Sequence, residues 1–293
     1  MSKCLKFQCR CSVGGSNSGH WIRKGCFRRK SDCQKVLRWI CTGCKKSVSQ
    51  ATGTACFGQN KRRANEPIKQ LLCSGVSLRR SAKLVGVHRT TVARKLRFLA
   101  AEARKSQQKF LQSLRESALA HLQFDDMETF EHTKLKPLSI TLAVSPERKI
   151  LKAIVSKMPA KGPLAAMSRK KYGYRQDQRR KALRTVLESI KDVIEPEALF
   201  ESDENPHYPG VLFSVFPKAN HSTTKGGRGC VVGQGELKKL KWDPLFSLNH
   251  TAAMFRANVN RLIRKTWCTT KRPDQLQNHL DLYIDYHNQR LTA

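Results

Sequence analysis

Two apolar, β-prone runs, Pro137 to Val144 and Lys149 to Val155, flank Ser145-Pro146-Glu147-Arg148, which predicts two strands joined by a turn. Phe124-Asp125-Asp126, with Glu128 close by, stands at the head of this hairpin, an acidic cluster at a strand edge. Downstream, Leu183, Val186, Leu187 and Ile190 recur at helical spacing and predict an amphipathic helix from Gln178 to Ile194. The short apolar run from Ala198 ends in Ser202-Asp203. Val211 to Val215 reads as a further strand and His221 to Gly235 as a polar, glycine-rich loop. Asp243-Pro244 then opens a predicted helix to about Arg264, with Leu248, Ala252, Phe255, Val259 and Leu262 as its buried stripe. Asn249, Arg256 and Asn260 lie along the adjacent stripe.

Upstream, the pattern breaks into short helices separated by glycines. Pro67 suits a first helical position, Ser77 can cap a second helix, and Gly86 supplies the turn before a third, in which Val92 and Leu96 share one face. The opposite face carries His88, Arg89, Thr90, Thr91 and Arg94, side chains that can reach base edges and phosphates in a major groove. This is a helix-turn-helix pattern. Its last helix is expected to run on as a charged connector to about Leu122.

The first 65 residues hold 15 Lys and Arg against one acid, Asp32, and eight of the chain's 11 cysteines fall in the first 56. In a reducing compartment that clustering points to metal before disulfides. Cys41-Thr42-Gly43-Cys44 has the two-residue spacer of a zinc knuckle, and Trp21 to Gly25 and Val36 to Ile40 read as the short strands of a ribbon. The first half-site is irregular: Cys9 with Cys11, or Cys4 with Cys9, is expected to supply the other two ligands.

Over all 293 residues the formal net charge is +34, which makes a polyanion, nucleic acid first, the expected partner. No apolar run of transmembrane length, signal peptide or lipidation motif is legible, so a cytoplasmic protein with no membrane partner is expected. Between Lys157 and Arg175, Lys161, Arg169, Lys170, Lys171 and Arg175 alternate with Tyr172 and Tyr174, a candidate phosphate track or a solvated basic loop.

This order resembles the DDE-type insertion-sequence transposases of bacteria, in particular those with an N-terminal zinc ribbon, a helix-turn-helix and a ribonuclease-H-like catalytic domain. Asp125-Asp126-Met127 matches the opening aspartate, Asp203 before Tyr208 the second, and Arg256 with Arg264-Lys265-Thr266 the basic landmarks after the third acid; Asn249 stands where that acid belongs. The resemblance implies a zinc ribbon over 1–60, a helix-turn-helix and connector over 61–120, and over 121–293 an α/β core with a ribonuclease-H-like mixed sheet and flanking helices. It implies DNA cleavage and strand transfer with Mg²⁺ or Mn²⁺. Asp125 would bridge two ions, Asp203 would ligate one, and Asn249 would offer a neutral oxygen, with Asp243 and Glu236 as alternative third ligands. Arg256, Arg264 and Lys265 join the helix-turn-helix residues as DNA contacts. Zinc in the ribbon, double-stranded DNA as element ends and target, self-association on DNA and a nucleoid-associated location also follow from the resemblance. The alternative is a non-catalytic DNA-binding regulator or a decayed transposase lacking its third acid.

Overall fold

The structure is a computed structural model that describes residues 21–30, 33–225, 243–263 and 266–290. The chain divides into two compact units, Met1–Pro67 and Ile68–Ala293.

In the first unit, β1 (Trp21–Arg28), β2 (Lys35–Cys41) and β3 (Ser47–Ser49) form a small antiparallel sheet in that order. Val36, Cys41, Val48 and Ala51 are its buried side chains, a core too small to hold many residues without another source of stability. Cys41 and Cys44 bracket a tight turn in which the Lys45 N–H donates to Cys41 O and the Cys41 N–H to Lys46 O, both at 3.0 Å.

The chain then enters α1 (Asn65–Leu72), within which the boundary falls, followed by α2 (Leu78–Val85) and α3 (Arg89–Ser113). The Ser77 side chain caps α2 by accepting from the Arg80 N–H, and Gly86, at φ +66°, ends it in the left-handed conformation that glycine adopts without strain. His88 caps α3 by accepting from the Thr90 N–H. Val92 and Leu96 are fully buried.

The second unit is a mixed α/β fold built on a five-stranded sheet in the order β6-β5-β4-β7-β8. β4 (Leu119–Phe130), β5 (Pro137–Val144) and β6 (Ile150–Lys157) form an antiparallel meander. After α4 (Leu164–Tyr172) and α5 (Arg179–Ile190), β7 (Ile194–Asp203) pairs parallel with β4; after α6 (Tyr208–Val215), β8 (Asn220–Thr224) pairs parallel with β7. α7 (Phe246–Asn258) and α8 (Pro273–Arg290) close the chain. A five-stranded mixed sheet with flanking helices is compatible with a ribonuclease-H-like core. No described helix is long and apolar enough to cross a membrane.

Several expectations need correction. Asp125 and Asp126 sit inside β4, the central strand, rather than ahead of a hairpin at a strand edge. β4 alternates: Leu122 and Phe124 enter the apolar core with α5 and α6, while His121, Gln123 and Asp125 take the other face. The connector helix stops at Ser113, because the residues from Leu119 pair in parallel with β7, and that tertiary pairing overrides the local helical preference of Ala118 to Leu122. Val211 to Val215 is helical. Tyr208, Val211, Leu212 and Val215 are its buried residues, a spacing of three, four and seven that suits a helix, and Pro209 lies in the first turn, where its missing N–H costs no bond. The start of the expected loop, His221 to Thr224, belongs to the edge strand β8, whose polar residues hid it. α7 ends at Asn258 instead of near Arg264.

The turn after α1 explains that ending. Gly75, at φ +74°, donates its N–H to Asn258 O at 2.7 Å, and its carbonyl accepts from Asn260 Nδ2 at 3.1 Å. A Cβ at this position would lie 2.9 Å from Ala257 O, so only glycine fits. α8, which the sequence pattern did not announce, packs against α3 and β6. Leu276, Leu280, Leu282, Tyr283 and Ile284 are buried in it beside His279, Asp281, Asp285 and His287.

Candidate active site

β4 and β7 bring the two predicted aspartates together. Leu122 pairs with Phe200 and Gln123 with Glu201; continued two residues along the same parallel register, Asp125 comes level with Asp203. The register fixes their parity, so both belong to the face that His121, Gln123 and Glu201 share. Along this face Glu201 Oε2 meets His121 Nε2 at 2.6 Å and accepts from Gln123 Nε2 at 2.9 Å. Gln123 also donates to Pro244 O at 2.7 Å and accepts the Leu248 N–H at 3.0 Å, which fixes the start of α7 over β4.

The electrostatics are those of crowded carboxylates. Burial and then the charge of Asp203 push the Asp125 carboxyl above its ordinary value, against the Asp126 N–H, the Tyr208 hydroxyl and Arg256, which favour the anion. The Asp126 N–H and Tyr208 Oη both donate to Asp125 Oδ1, at 2.6 and 3.1 Å. Asp126 is also raised, by burial first, opposed by the Thr141 hydroxyl that donates to it. Asp203 is raised by burial and by the charges of Asp126 and Glu204, while the Asn205 N–H works the other way. Burial and the surrounding acids keep the Tyr208 phenol neutral, its pKa far above the ordinary value. An ensemble of raised carboxyls in an open cleft marks a functional-site candidate.

Asp203 opens onto a cavity of about 380 Å³ lined also by Lys161, Arg179, Glu204, Asn205, Pro206 and His207. Lys161 Nζ lies 2.8 Å from Glu128 on β4, and Arg179 holds Asp177 with Nη2 at 2.6 Å. Arg180 donates to His207 Nδ1 from both Nε and Nη2.

Asn249 is exposed on α7 and donates Nδ2 to Asp243 Oδ2 at 3.0 Å, so two of the three candidates for a third ligand contact each other. Arg256, on the same helix, is near enough to Asp125 to favour its ionised form. His88, Arg89, Thr90 and Arg94 are exposed around the start of α3 and Thr91 is half-buried; His88 Nδ1 is engaged with Thr90 as the helix cap. Arg264 and Lys265, the alternative ligand Glu236, and Cys4, Cys9 and Cys11 of the first half-site lie outside the described residues. Cys41 is buried and Cys44 exposed.

Sequence reasoning missed the His121-Gln123-Glu201 network. The signal was present in the alternation His121, Gln123, Asp125 on a strand whose other positions are Leu122 and Phe124. Among the described residues no group of three or more His, Cys, Asp and Glu side chains is arranged to hold a metal ion. The chemistry of the Asp125 and Asp203 pair still fits a hard divalent cation, since both carboxyls are raised first by burial and then by neighbouring acids, Asp203 acting on Asp125 and Asp126 and Glu204 acting on Asp203, and positive charge relieves both. The Cys41 and Cys44 turn fits the described half of a four-thiolate zinc site. The chain matches no protein-family model and no curated protein.

Proposed function

We propose that the chain is a DDE-type transposase that binds the ends of a mobile DNA element and cleaves and joins DNA with the acids of β4 and β7. The observation that carries this reading is Asp125 level with Asp203 on adjacent parallel strands, with Asp203 lining a cavity that Lys161 and Arg179 also line. With Mg²⁺ or Mn²⁺ bound by these carboxylates, the chemistry supplied is activation of the attacking hydroxyl and stabilisation of the leaving oxygen. The protein's own part is positional. Tyr208 fixes Asp125 Oδ1, Gln123 fixes α7 over the pair, and Lys161 and Arg179 give the cavity the charge a phosphodiester requires.

The helices α2 and α3 act as the helix-turn-helix, with Arg89 and Arg94 exposed for DNA. The β1-β3 sheet acts as the zinc ribbon, with Cys41 and Cys44 as ligands and the remaining ligands among Cys4, Cys9 and Cys11. Labelled element ends incubated with Mg²⁺ or Mn²⁺ test the reading, joined products being the expected result and intact ends the result that overturns it. Arg89→Ala is expected to weaken specific binding by about 1–3 kcal/mol while sparing random DNA, and Arg94→Ala to weaken both, as read by a titration on each DNA. Elemental analysis is expected to find zinc in the wild type and none in the Cys41→Ser, Cys44→Ser variant.

A second reading, a DNA-binding protein whose catalysis has decayed, is favoured by the Asn249 amide being engaged with Asp243 rather than with the acid pair. Under the first reading, Asn249→Ala loses activity and Asn249→Asp keeps it or raises it at low metal. Under the second, the wild type is inactive and Asn249→Glu restores cleavage.

A further inference from the structure

Apart from Lys161, which lines the cavity at Asp203, the basic and aromatic stretch between Lys157 and Arg175 is not used by the site described above, and its residues divide into two sets. Arg175 is structural: it donates to Met158 O at 3.3 Å and Pro137 O at 3.0 Å and faces Glu131 at 3.7 Å. Ser168, buried in α4, donates to Leu135 O at 2.6 Å and so fastens the helix to the β4-β5 connection. Tyr172 is half-buried beneath Lys136 Nζ, 4.7 Å from its ring centre. The second set faces water. Tyr174 is 81% exposed and Met167 58%, with Lys161, Arg169, Lys170 and Lys171 exposed around them, and no acid occurs between Lys149 and Gln176.

Two cavities adjoin here. Tyr174, Arg169, Pro159 and Ala160 line a small cleft, and the next residue, Lys161, lines the larger cavity that holds Asp203. The Ala160–Lys161 step thus joins the lining of the cavity at Asp203 to that of the cleft at Tyr174. A tyrosine this exposed among cations offers a π-face and positive charge together. Duplex DNA presents its phosphates outward but hides its base faces; unpaired nucleotides present both.

We propose that Tyr174, with Arg169, forms a stacking platform for an unpaired base of the DNA strand whose phosphate lies at Asp203, and that Lys170 and Lys171 hold the adjoining backbone. This rests on the catalytic reading for the strand's path, but the platform is measured without cleavage. The test is fluorescence anisotropy of the full chain on a labelled single-stranded oligothymidine and on a blunt duplex, in the absence of divalent cations. Tyr174→Ala is expected to weaken single-strand binding by roughly 5- to 150-fold with the salt dependence unchanged, and to leave duplex binding as in wild type. Tyr174→Phe should retain wild-type affinity, because the face and not the hydroxyl is used. Lys170→Gln with Lys171→Gln should instead flatten the salt dependence.

An oligonucleotide with one abasic site opposite the platform should be indifferent to Tyr174→Ala. Tyr174→Ala within twofold of wild type on single strands, or an equal loss on single strands and duplex, would overturn the platform and leave only a phosphate track. Binding of anionic vesicles or an acidic peptide that depends on Tyr174, with single-strand binding unchanged, would likewise overturn it. Intact platform behaviour in a protein that never cleaves would sink the catalytic reading alone; cleavage with no platform would sink this inference alone.

Discussion

Two sets of partly buried aspartates in the second unit solve the same problem in opposite ways. On α8, Asp281 takes Arg104 Nη1 at 2.7 Å and Gln277 Nε2 at 2.8 Å, while Asp285 takes Lys69 Nζ at 2.9 Å and Gln289 Nε2 at 2.6 Å. Each carboxylate thus receives a cation from α1 or α3 on one oxygen and an amide on the other. On β4 and β7 the donors to Asp125, Asp126 and Asp203 are backbone N–H groups and neutral hydroxyls, and the acids raise one another's pKa. The α8 pairs tie helices together. Arg256 favours the Asp125 anion and Arg179 that of Asp126, but each is the smallest of the influences on its acid, behind burial; such crowding costs stability and is expected where a ligand supplies the charge.

The comparison breaks most sharply in activity. Asp125→Ala and Asp203→Ala should each lower cleavage and strand transfer by about 10²–10³-fold or more, the scale on which losing one preorganised electrostatic group acts. Binding of element ends, measured by mobility shift, should stay near wild type. Full activity in either variant would show that these acids are crowded for some other reason.

The next effect is on stability. Asp285→Ala leaves the Lys69 ammonium, 17% exposed, without its anion, and removing one partner of a buried pair costs about 3–5 kcal/mol. Urea unfolding should therefore show a large loss of stability, while end binding by the folded fraction is retained. Replacing both partners, Lys69→Met with Asp285→Leu, should recover most of that loss, since an apolar pair of similar volume carries no unmatched charge. A double variant no better than the single one would mean that Asp285 acts through Gln289 and not through Lys69.

Much of this architecture was legible where one period dominated. Pro137 to Val144 is read correctly to the residue because its apolar run is bounded by a proline and a turn; α5 is found by Leu183, Val186, Leu187 and Ile190, but it ends at Ile190 and not at Ile194, where β7 begins. The sequence singled out the aspartates but not their strand: His121, Gln123 and Asp125 are polar on a central strand, and their partners are distant in sequence or across the sheet, Glu201 for His121, Pro244 and Leu248 for Gln123, and Tyr208 for Asp125. Polarity also concealed β8, and the four buried polar side chains of α8 made a core helix look unremarkable. The helical nature of Val211 to Val215 was missed because five residues are too few to separate a period of two from one of 3.6. The link between Gly75 and the end of α7 spans more than 180 residues of sequence and leaves no local trace.

The smallest effect distinguishes the two sets of acids most directly. Asp125→Asn removes a charge from β4 while keeping its hydrogen bonds, because the Asp126 N–H and the Tyr208 hydroxyl both end on Oδ1 and an amide carbonyl can accept them. The folded pKa of Asp125 lies above its unfolded value, so the folded state binds more protons across that window and stability falls as pH rises through it. Below the ordinary carboxylate range wild type and Asp125→Asn should melt together. As pH climbs past the raised value the variant should become the more stable, by about 2–4 °C for each kcal/mol of charge repulsion removed. Mn²⁺ should narrow this gap by stabilising the wild type preferentially, and more at high pH than at low, because its ligands must be ionised. For Asp285→Asn the sign reverses, since the lost charge was paired with Lys69, and the variant should be less stable than wild type at neutral pH. Thermal melts of both variants between pH 4 and 8, each with and without Mn²⁺, check these signs, and an Asp125→Asn protein that is less stable at every pH would show that the β4 carboxylate is part of the scaffold after all.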